Sequence, residues 1–310
     1  MAQPVSNAND LLYFTDGTLA YAGHHLHDPG HHLHTHSFVE VAVITGGTGV
    51  HVSLAGRAPV RAGDVVLLRP GVWHGYEDCH ALDVFNCCFA PELLHRELAW
   101  TREDPLLGYL LWTGPYSLRR RGMLTAHLDP DTRAACTAHL DALDELGSRP
   151  TGLHRGDIIG RLALFLAALA RTVARDDGGE VEEPTRPTHP AVVHAMRLME
   201  ARPEQRWTLG DLADRLHLAP GYLVRLFKSA TGLPPIAYLS RHRVERAAAL
   251  LLHTDQSIAQ IARTVGWADQ NYFARRFRAH YGMSASVYRT RFSHNAVRLG
   301  SGTIVSGAAT

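Results

Sequence analysis

Short apolar runs separated by turn residues fill the first part of the chain, from Leu12 to Ala90. Apolar side chains cluster or alternate in the runs Val39–Ile44, Gly49–Leu54, Val65–Leu68 and Leu82–Asn86. Turn residues end the runs, as at Thr45–Gly49 after the first of them and at Pro70-Gly71 after the third. Strands this short at such regular spacing are typical of an all-β barrel or sandwich. We therefore predict a β domain over residues 1–128.

A helical period replaces the strand pattern after Asp129-Pro130. Apolar positions four and three residues apart form one stripe, made by Ile158, Leu162, Phe165, Leu169 and Thr172 and widened by Leu166 and Val173. Such a stripe predicts an amphipathic helix, so residues 129–175 either pack on the β domain or pair with a second copy of the chain. Residues 176–189 are acidic and rich in glycine and proline, which predicts a flexible linker. Residues 293–310 are expected to be a disordered tail.

One helical segment occurs twice between residues 190 and 292. The stretch from Leu212-Ala213 to Gly232 reappears as Ile261-Ala262 to Gly282, offset by 49 residues before a central turn and by 50 after it. Each copy begins at a capping residue, Thr208 or Ser257, and contains a helix, a short turn and a second helix that ends at glycine. We expect the second helices to bury Leu223, Leu226, Phe227 and Ala230 in the first copy and Tyr272, Phe273 and Phe277 in the second. This is the helix-turn-helix plan, in which the second helix enters the major groove of DNA.

The segment between the two copies, Ile236 to Leu252, contains no glycine or proline and predicts one uninterrupted helix. At the usual rise per residue this helix is roughly 25 Å long. That length is enough to hold two recognition helices near the ~34 Å separation of successive major grooves. The sequence therefore predicts two contacts along one side of a DNA duplex.

Helix phase decides which side chains would read bases. The outward N-terminal positions are Pro220, Gly221, Val224 and Arg225 in the first recognition helix and Gln270, Asn271, Ala274 and Arg275 in the second. Arginine bonds guanine bidentately, and glutamine or asparagine does the same with adenine. Other cations are expected to touch phosphates, which position a protein without specifying sequence: Lys228, Arg241, Arg243, Arg246, Arg278 and Arg289. The alternative is that these arginines form an ordinary solvated face.

The charge distribution favours a polyanionic partner for the C-terminal part alone. Residues 190–292 carry 15 Lys and Arg against 7 Asp and Glu, whereas residues 1–189 carry 15 against 23. The overall net charge of +1 hides this division. A basic domain attached to an acidic one is typical of proteins that bind nucleic acid through one domain.

Cysteine usage and hydropathy indicate a cytoplasmic protein. The four cysteines, Cys79, Cys87, Cys88 and Cys136, lack the spacing of a metal site. No secretory signal is visible at the N-terminus, and the longest apolar stretch, Leu162 to Ala170, is shorter than the roughly 20 residues that span a bilayer. We expect no membrane partner.

The duplicated region resembles the AraC/XylS family of bacterial transcription regulators. The resemblance runs from about Pro190 to Phe292 and rests on Leu212-Ala213 and Ile261-Ala262, Tyr222-Leu223 and Tyr272-Phe273, Phe227 and Phe277, Gly232 and Gly282, Arg243 with Ala247, and Tyr288-Arg289. It implies a seven-helix DNA-binding domain in a protein that usually activates transcription by contacting RNA polymerase beside the promoter. Because symmetric dimers are the commonest oligomers, we also expect a homodimer.

A second group of residues resembles the two metal motifs of the cupin barrel, which is a jelly roll. The group consists of His34-Thr35-His36 with Glu40, followed by Pro70-Gly71-Val72-Trp73-His74. The resemblance implies that His34, His36, Glu40 and His74 converge inside the barrel. Three imidazoles and a carboxylate suit Zn, Fe, Mn or Ni and leave coordination positions open. The alternative is that there is no metal cofactor and that these residues line a pocket for an organic effector.

The same spacing, including Gly63-Asp64 and His74-Gly75-Tyr76, resembles the sugar-responsive, rhamnose-type regulators. We expect the effector pocket to contain His34, His36, Glu40, Trp73, His74 and Tyr76. Aromatic faces stack on sugar rings while polar groups bond hydroxyls, so the pocket favours a small-molecule effector such as a sugar or sugar acid. The remaining histidines of this region are assigned to surface or loop positions: His24, His25, His27, His31 and His32.

The fold class predicted is α+β, with an N-terminal cupin-like barrel, a helical linker or dimerisation segment and a C-terminal all-α domain with two helix-turn-helix motifs. The leading hypothesis is a protein that is not an enzyme: a sequence-specific, effector-responsive regulator, an activator of carbohydrate metabolism genes that binds double-stranded promoter DNA. An alternative from another class is a metal-dependent cupin enzyme, an isomerase or dioxygenase, fused to a DNA-binding module. A ligand-independent, nucleoid-type binder is a third hypothesis.

Overall fold

The computed structural model describes residues 19–116, 120–147, 151–176 and 188–292. Most of the predicted linker, residues 177–187, and the predicted tail, residues 293–310, lie outside these ranges. Within them the chain consists of an antiparallel sheet domain, two long helices packed on it and a C-terminal helical domain. The α+β prediction is confirmed. Among the described residues, no helix combines the length and the apolar character needed to cross a lipid bilayer.

Over the described residues the sheet domain contains seven strands. They are β1 (Ala20–His27), β2 (His31–His34), β3 (Val39–Ser53), β4 (Gly56–Arg61), β5 (Asp64–Leu68), β6 (His74–Phe89) and β7 (Met123–His127). All pairings are antiparallel, in the order β1-β6-β3-β5-β7, while β2 pairs with β6 and β4 pairs with β3. The long strands β3 and β6 therefore each pair with three other strands and form the centre of the sheet.

The predicted break in β3 at Thr45–Gly49 is wrong. The strand continues through this glycine-rich stretch, and its pairing with β6 extends from Val39 opposite Phe89 to Ser53 opposite His74. The register shifts between Ile44 and Val50, where the extra residues bend the strand instead of ending it. Because of these irregularities, one strand pairs with β5 in its first half and with β4 in its second half.

The two faces of the sheet have different neighbours because side chains alternate along a strand. One face forms an apolar cluster of its own, which includes Ala42, Ile44, Val66, Leu68 and Val84. The other face, which includes Val39, Val41, Val43, Phe85 and Phe89, shares a cluster with the helices.

We call the face that shares its cluster with helices the outer face of the sheet. Its helices are α1 (Pro91–His95), α2 (Pro105–Gly108), α3 (Pro130–Gly147) and α4 (Thr151–Asp176). A π-helical turn, Tyr109–Thr113, follows α2 and leads to the turn Gly114–Tyr116. The predicted apolar stripe of α4 is buried in the sheet cluster, with Leu162, Phe165 and Leu166 fully inaccessible to solvent. The stripe therefore packs on its own β domain, and the alternative in which it pairs with a second chain is wrong.

Seven helices form the C-terminal domain, the number that the family resemblance implies. They are α5 (Pro190–Ala201), α6 (Leu209–Arg215), α7 (Pro220–Thr231), α8 (Pro235–His253), α9 (Ile258–Thr264), α10 (Gln270–Tyr281) and α11 (Ala285–Phe292). The pairs α6–α7 and α9–α10 are the two predicted helix-turn-helix motifs, and α8 is the predicted connecting helix. Capping boxes start α6 and α9, in which Thr208 pairs with Asp211 and Ser257 with Gln260.

Glycines end both recognition helices, α7 and α10, in the left-handed conformation. Gly232 has φ of 71° and Gly282 has φ of 74°, as the sequence predicts for C-terminal caps. Tyr272 departs from the prediction, because it is 41% exposed instead of buried. Phe273 and Phe277, four residues apart, occupy the inward face of α10, and the residue before Phe273 lies about 100° away from that face.

The two motifs have separate apolar cores that meet at α8. Tyr238 and Leu239 in its first half belong to the cluster that reaches from the sheet to Phe227 of α7. The second half of α8, from Val244 to Leu252, belongs to the cluster of Phe273 and Phe277. One helix thus contributes to both motifs.

Candidate DNA-binding surface and effector site

The predicted base-reading residues lie on the outer face of the recognition helices. Seven of the eight side chains or backbone positions are exposed and Val224 is half-buried; the exposed ones are Pro220, Gly221, Arg225, Gln270, Asn271, Ala274 and Arg275. The predicted phosphate contacts Lys228, Arg246 and Arg278 are exposed as well. These residues can reach a polyanion without any change in the packing of the two motifs.

A tyrosine and an arginine form the same pair on each recognition helix, which the sequence analysis missed. The guanidinium of Arg225 lies 5.9 Å from the ring centre of Tyr222, and that of Arg275 lies 5.8 Å from the ring of Tyr272. Tyr222 and Tyr272 are 43% and 41% exposed. Cation–π contact orients each guanidinium on the exposed face. The signal in the sequence is the repeated Tyr with Arg three residues later.

Three arginines assigned to phosphate contacts have intramolecular partners instead. Arg243 donates to Pro203 O at 2.6 Å and to Gln205 O at 2.7 Å. Arg289 donates to Leu251 O at 3.2 Å and to Gln256 O at 2.7 Å. Arg241 is buried and donates to the carbonyl of Tyr116 in the sheet domain. The prediction that these three side chains contact phosphates is therefore weakened, because their guanidinium groups bind backbone carbonyls inside the chain.

Buried ion pairs connect the sheet domain to the DNA-binding domain, and the sequence analysis did not find them. Arg69, which follows β5, lies 3.3 Å from Glu245 of α8 and donates to the hydroxyl of Tyr116 at 2.8 Å. The Tyr116 hydroxyl donates to Glu245 at 2.8 Å. A second pair joins Arg102 to Glu200, which also accepts a 2.6 Å bond from the Tyr238 hydroxyl.

The available signal was Glu245 itself, the only acidic residue in α8. A lone carboxylate among the arginines of an otherwise basic helix indicates a partner elsewhere in the chain. Because both partners of the Arg69 pair are buried, removal of either one would leave an uncompensated charge away from water.

Three of the four predicted metal ligands come together in the sheet domain. Ligand atoms of His34, Glu40 and His74 all lie within 4.8 Å of one another. His34 at the end of β2 is directly opposite His74 at the start of β6, and Glu40 lies near the start of β3. Among the described residues this is the only such group of histidine, cysteine or acidic side chains.

Polar contacts fix the position of the two imidazoles before Glu40. The Nδ1 of His34 lies 3.0 Å from His32 O, which leaves Nε2 as its acceptor nitrogen. Burial lowers the pKa of His34 well below its ordinary value, so the ring is neutral. His36 differs, because its Nε2 lies 2.9 Å from Glu40 Oε2 and its Nδ1 lies 3.0 Å from Phe38 O. His36 thus orients the carboxylate and is not part of the group of three.

Glu40 is ionised in this buried position. Burial alone would raise the pKa of its carboxyl, but His74 and His36 beside it outweigh that effect and lower the pKa well below the ordinary value. A neutral imidazole next to a carboxylate is the donor set that divalent transition metals prefer.

The site also includes His51, which the sequence analysis missed. His51 of β3 is opposite Tyr76 of β6, and its ring centre is 5.6 Å from that of His74. Burial, with a smaller contribution from the neighbouring His74, lowers the pKa of His51 to about 3. The signal was the alternation in Gly49–Leu54, which places His51 on the same face as Ser53 opposite His74.

Several polar atoms of this site are buried without a hydrogen-bond partner within the described part of the chain. They are Nδ1 of His74, Nε2 of His51 and the hydroxyl of Tyr76, while Nε2 of His74 has only the Glu40 carboxylate at 3.5 Å. Leaving such groups unpaired is costly, so their concentration at one place indicates a polar ligand.

Trp73 does not belong to the predicted effector pocket. Its Nε1 donates to Tyr281 O of α10 at 3.0 Å, and its ring packs against the core of the second motif. The adjacent His74 points the other way because neighbouring side chains alternate. The predicted aromatic lining of the pocket is therefore reduced to Tyr76.

The histidines assigned to surface or loop positions lie on strands. His27 of β1 and His31 of β2 are half-buried, with ring centres 4.8 Å apart, and the ring of His27 is 5.3 Å from that of Tyr76. They continue the histidine site towards the surface. His24 is exposed and lies 3.0 Å from Asp83.

Both halves of the molecule match known families. Residues 18–149 match the family described as "AraC-like ligand binding domain", and residues 212–291 match the family described as "Helix-turn-helix domain". The first match covers the sheet with α1 to α3, and the second covers both motifs from α6 to α11.

Relatives of known function align along most of the chain. The HTH-type transcriptional activator RhaR of Yersinia pestis bv. Antiqua (strain Angola) is 27% identical over 272 residues, 85% of this chain and 86% of that protein. RhaR of Mannheimia succiniciproducens is 25% identical over 269 residues, 86% of this chain and 90% of that protein. The structure of ToxT from Vibrio cholerae has a similar fold, with a TM-score of 0.50 and 13% identity over 89% of this chain and 100% of that one. The chain thus combines an AraC-like ligand-binding domain with a helix-turn-helix domain, the pairing of an AraC-type DNA-binding transcription regulator.

Proposed function

We propose that this regulator is an activator that binds promoter DNA with both motifs and responds to a small polar effector in the sheet domain. The observation that carries the proposal is the presence of two sites in one chain. One is the pair of exposed recognition helices, and the other is the buried histidine site with its unpaired polar atoms. The relatives are named transcriptional activators, which supports the direction of regulation.

Selection from a random duplex library with the full-length protein tests the DNA-binding part. We expect two conserved blocks one helical turn apart, about 10 base pairs from centre to centre. Footprinting of the selected duplex should protect both blocks on one side of the helix. An affinity for the selected duplex within tenfold of that for random DNA would favour the nucleoid-type alternative.

The effector class that the site favours is a hydroxylated small molecule, a sugar or sugar acid. Tyr76 contributes an aromatic ring beside His74, and His51, His74 and Glu40 offer groups that bond hydroxyls. Burial raises the pKa of Tyr76, so its hydroxyl stays a neutral donor. Differential scanning fluorimetry with neutral sugars, sugar acids and amino acids as a contrasting set tests this assignment, followed by calorimetry. Stabilisation by amino acids alone would contradict it.

We propose a divalent transition metal as part of the site. His34, Glu40 and His74 would hold it, and two imidazoles with one carboxylate fit Zn, Fe, Mn or Ni. When bound, such an ion supplies a Lewis-acidic centre for a ligand oxygen. The fit rests on the unpaired Nδ1 of His74 and on His36, which orients the carboxylate.

Elemental analysis of protein purified without chelator tests the metal. We expect about one ion per chain in the wild type, from the single group of three ligands. His74→Gln should lose this ion, whereas His24→Gln, at an exposed histidine outside the site, should retain it. Metal-free protein that still binds a sugar would reduce the proposal to an organic effector alone.

The alternative function is a metal-dependent cupin enzyme fused to a DNA-binding module. The same donor set would serve catalysis, so it does not distinguish the two functions. The match of the sheet domain to a ligand-binding family and the names of the relatives favour the regulator. Turnover of a candidate sugar by metal-loaded protein, lost in His74→Gln, would favour the enzyme.

We also propose that the regulator contacts RNA polymerase, forms a homodimer and acts in the cytoplasm. Because the apolar stripe of α4 is buried, a dimer would use other surfaces, and α4 presents Leu153 and Leu164 at 82% and 54% exposure. Light scattering of wild type and Leu153→Glu/Leu164→Glu measures the mass of each. A wild-type mass of one chain at all concentrations would contradict the dimer.

A further inference from the structure

The segment His34–Ser37 has contacts on two opposite sides. His34 and His36 contact the effector site, where they approach His74 and Glu40. Thr35 and Ser37, between and after them, contact the DNA-binding domain at Tyr288 and His253. The segment is therefore shared by the two sites.

A second segment, Pro70–His74, is shared in the same way. His74 belongs to the effector site, whereas Trp73 donates to Tyr281 O and Pro70 O accepts a 3.2 Å bond from the Tyr281 hydroxyl. The two segments are also bonded to each other, because Gly71 N donates to His36 O at 2.7 Å. A shift of either histidine would move backbone that touches the DNA-binding domain.

The hydroxyl of Tyr288 joins both segments. It donates to Gly71 O at 3.0 Å and lies 3.1 Å from Thr35 Oγ1, which also lies 3.2 Å from Val72 O. All of these atoms are buried, so water does not compete for them. We call this set, Tyr288 with Thr35 and Gly71, the Tyr288 contact.

Gly71 allows the two domains to approach this closely. Its φ is 81°, a conformation that side chains rarely adopt. A β-carbon at this position would lie 2.3 Å from the Tyr281 hydroxyl and 2.9 Å from Ala248 Cβ. The absence of a side chain is therefore required by the docked second motif.

Tyr288 leads directly to the second recognition helix. Its ring centre is 5.3 Å from that of Phe277 and 5.2 Å from that of Tyr281, both of α10. Arg275 and Asn271 lie on the other side of α10, and Gln270 is exposed at its N-terminal end. Hydrogen bonds to the two shared segments and ring contacts to α10 thus link the effector site to the helix that carries the proposed base-reading residues.

We propose that the Tyr288 contact is the positioning element that transmits the state of the effector site to the second recognition helix. The inference rests on the proposed function, because it names how that effector site regulates DNA binding. Neither Tyr288 nor Thr35 touches the effector or the DNA; both act through the backbone and the rings that they join.

A double-mutant cycle tests the inference without any effector. Glu40→Gln perturbs the effector site, and Tyr288→Phe removes only the hydroxyl of the contact while the ring keeps its packing. The readout is the dissociation constant for a duplex selected from a random library by the full-length protein. We expect Glu40→Gln to change this constant at least about fivefold in the wild-type background, the lower range of allosteric coupling. In the Tyr288→Phe background the change should fall below about twofold, because coupled residues are not additive.

Two further variants make the cycle specific. Thr35→Val removes the hydroxyl that the sheet domain contributes to the Tyr288 contact. Like Tyr288→Phe, it should reduce the change in the dissociation constant that Glu40→Gln causes. Thr290→Val, an exposed position on the same helix, is the matched control and should leave the full response. Circular dichroism and thermal melting identify any variant that fails to fold, and His74→Gln then replaces Glu40→Gln.

Equal responses to Glu40→Gln in the wild-type and Tyr288→Phe backgrounds would overturn the inference, and so would no response in either. These outcomes are distinct from failure of the proposed effector class. Absence of stabilisation by sugars and metals rejects that class and leaves the cycle unaffected, since the cycle measures DNA binding alone.

Discussion

The two helix-turn-helix motifs have the same plan but are anchored differently. The first motif shares one apolar cluster with the outer face of the sheet, so Phe227 and Val41 belong to the same core. The second has a core of its own and meets the sheet domain through hydroxyls, carbonyls and Trp73. Apolar burial is not directional, whereas hydrogen bonds depend on geometry. The first motif is therefore fixed to the sheet domain. The second motif is the one whose position a change in the sheet domain can alter.

The recognition helices of the two motifs also differ at their N-terminal ends. The first begins at Pro220 after Ala219, which makes no side-chain cap. The second begins after Asp269, whose carboxylate accepts from Asn271 N at 2.8 Å and Tyr272 N at 3.1 Å. The second also has amide side chains at its N-terminus, where the first has proline and glycine. The adjustable motif is thus the one with more groups able to read bases.

The largest expected effect is the loss of stability when a core phenylalanine of either motif is removed, and its distribution over the chain distinguishes the two cores. Phe227→Ala and Phe277→Ala each remove a fully buried ring and should each cost about 3–5 kcal/mol. Hydrogen exchange should show loss of protection in the sheet as well as the first motif for Phe227→Ala. For Phe277→Ala the loss should be confined to the second motif and the second half of α8, residues 244–292. Equal loss of protection in β3 and β6 for both variants would contradict the difference in anchoring.

The buried ion pair on α8 gives the next effect. Glu245→Leu leaves Arg69 buried without its carboxylate and should lower the free energy of unfolding by about 3 kcal/mol. Arg69→Met/Glu245→Leu removes both charges and should recover most of this loss in urea titrations. If the double variant is as unstable as the single one, the loss comes from packing and not from the unpaired charge.

A smaller effect compares base reading by the two motifs. Arg275→Ala should weaken binding by about 1–3 kcal/mol at one operator position and relax specificity there. Arg225→Ala should do the same in the other block, which is expected to have fewer specified positions. Arg246→Ala is the phosphate-type control, expected to weaken all sequences equally and to reduce the salt slope by about one charge. Equal losses on all sequences for Arg275→Ala would assign that residue to phosphate binding.

A last comparison concerns pH and one position at which the two motifs differ. His280 is the equivalent of Ala230 in the first motif. Burial, together with Arg241, Arg121 and Arg276, lowers the pKa of His280 to about 3. The unfolded chain binds a proton near pH 6.5 whereas the folded chain does not. Stability is therefore complete above pH 6.5 and falls as the pH drops from 6.5 towards 3, by up to about 1.4 kcal/mol per pH unit.

His280→Ala, which copies the first motif, should flatten this pH dependence. Urea titrations of both proteins between pH 7 and pH 5 measure the slopes. The variant loses a buried ring, so its stability at pH 7 is expected to be lower; the slope is the diagnostic quantity. Parallel slopes for the two proteins would show that His280 does not titrate on unfolding.

The sequence predicted those features that depend on neighbours in the chain. Repeat spacing, capping residues and helix phase were sufficient for both motifs, for α8 and for the exposure of Arg225 and Arg275. The convergence of His34, Glu40 and His74 was predicted from resemblance, since β2, β3 and β6 are brought together only by the sheet.

Features that depend on docking of the domains could not be predicted from local patterns. Trp73 and Arg241 look like a pocket residue and a phosphate contact until the partner domain is present, because both partners are more than a hundred residues away in sequence. His51 was missed because the alternation in Gly49–Leu54 gives its face of the strand but not its neighbour, and only pairing with β6 brings it beside His74. Tyr272 was misassigned since a single apolar position does not define the inward face of a helix.

The division of α8 between two cores has a practical consequence for protein engineering. A cut within this helix would expose apolar surface on both sides, so neither motif can be grafted onto another scaffold without the whole segment from Pro235 to His253. A DNA-binding fragment with only one of the two motifs would have to retain the entire helix. Its newly exposed apolar residues, those that packed against the missing motif, would have to be replaced by polar ones.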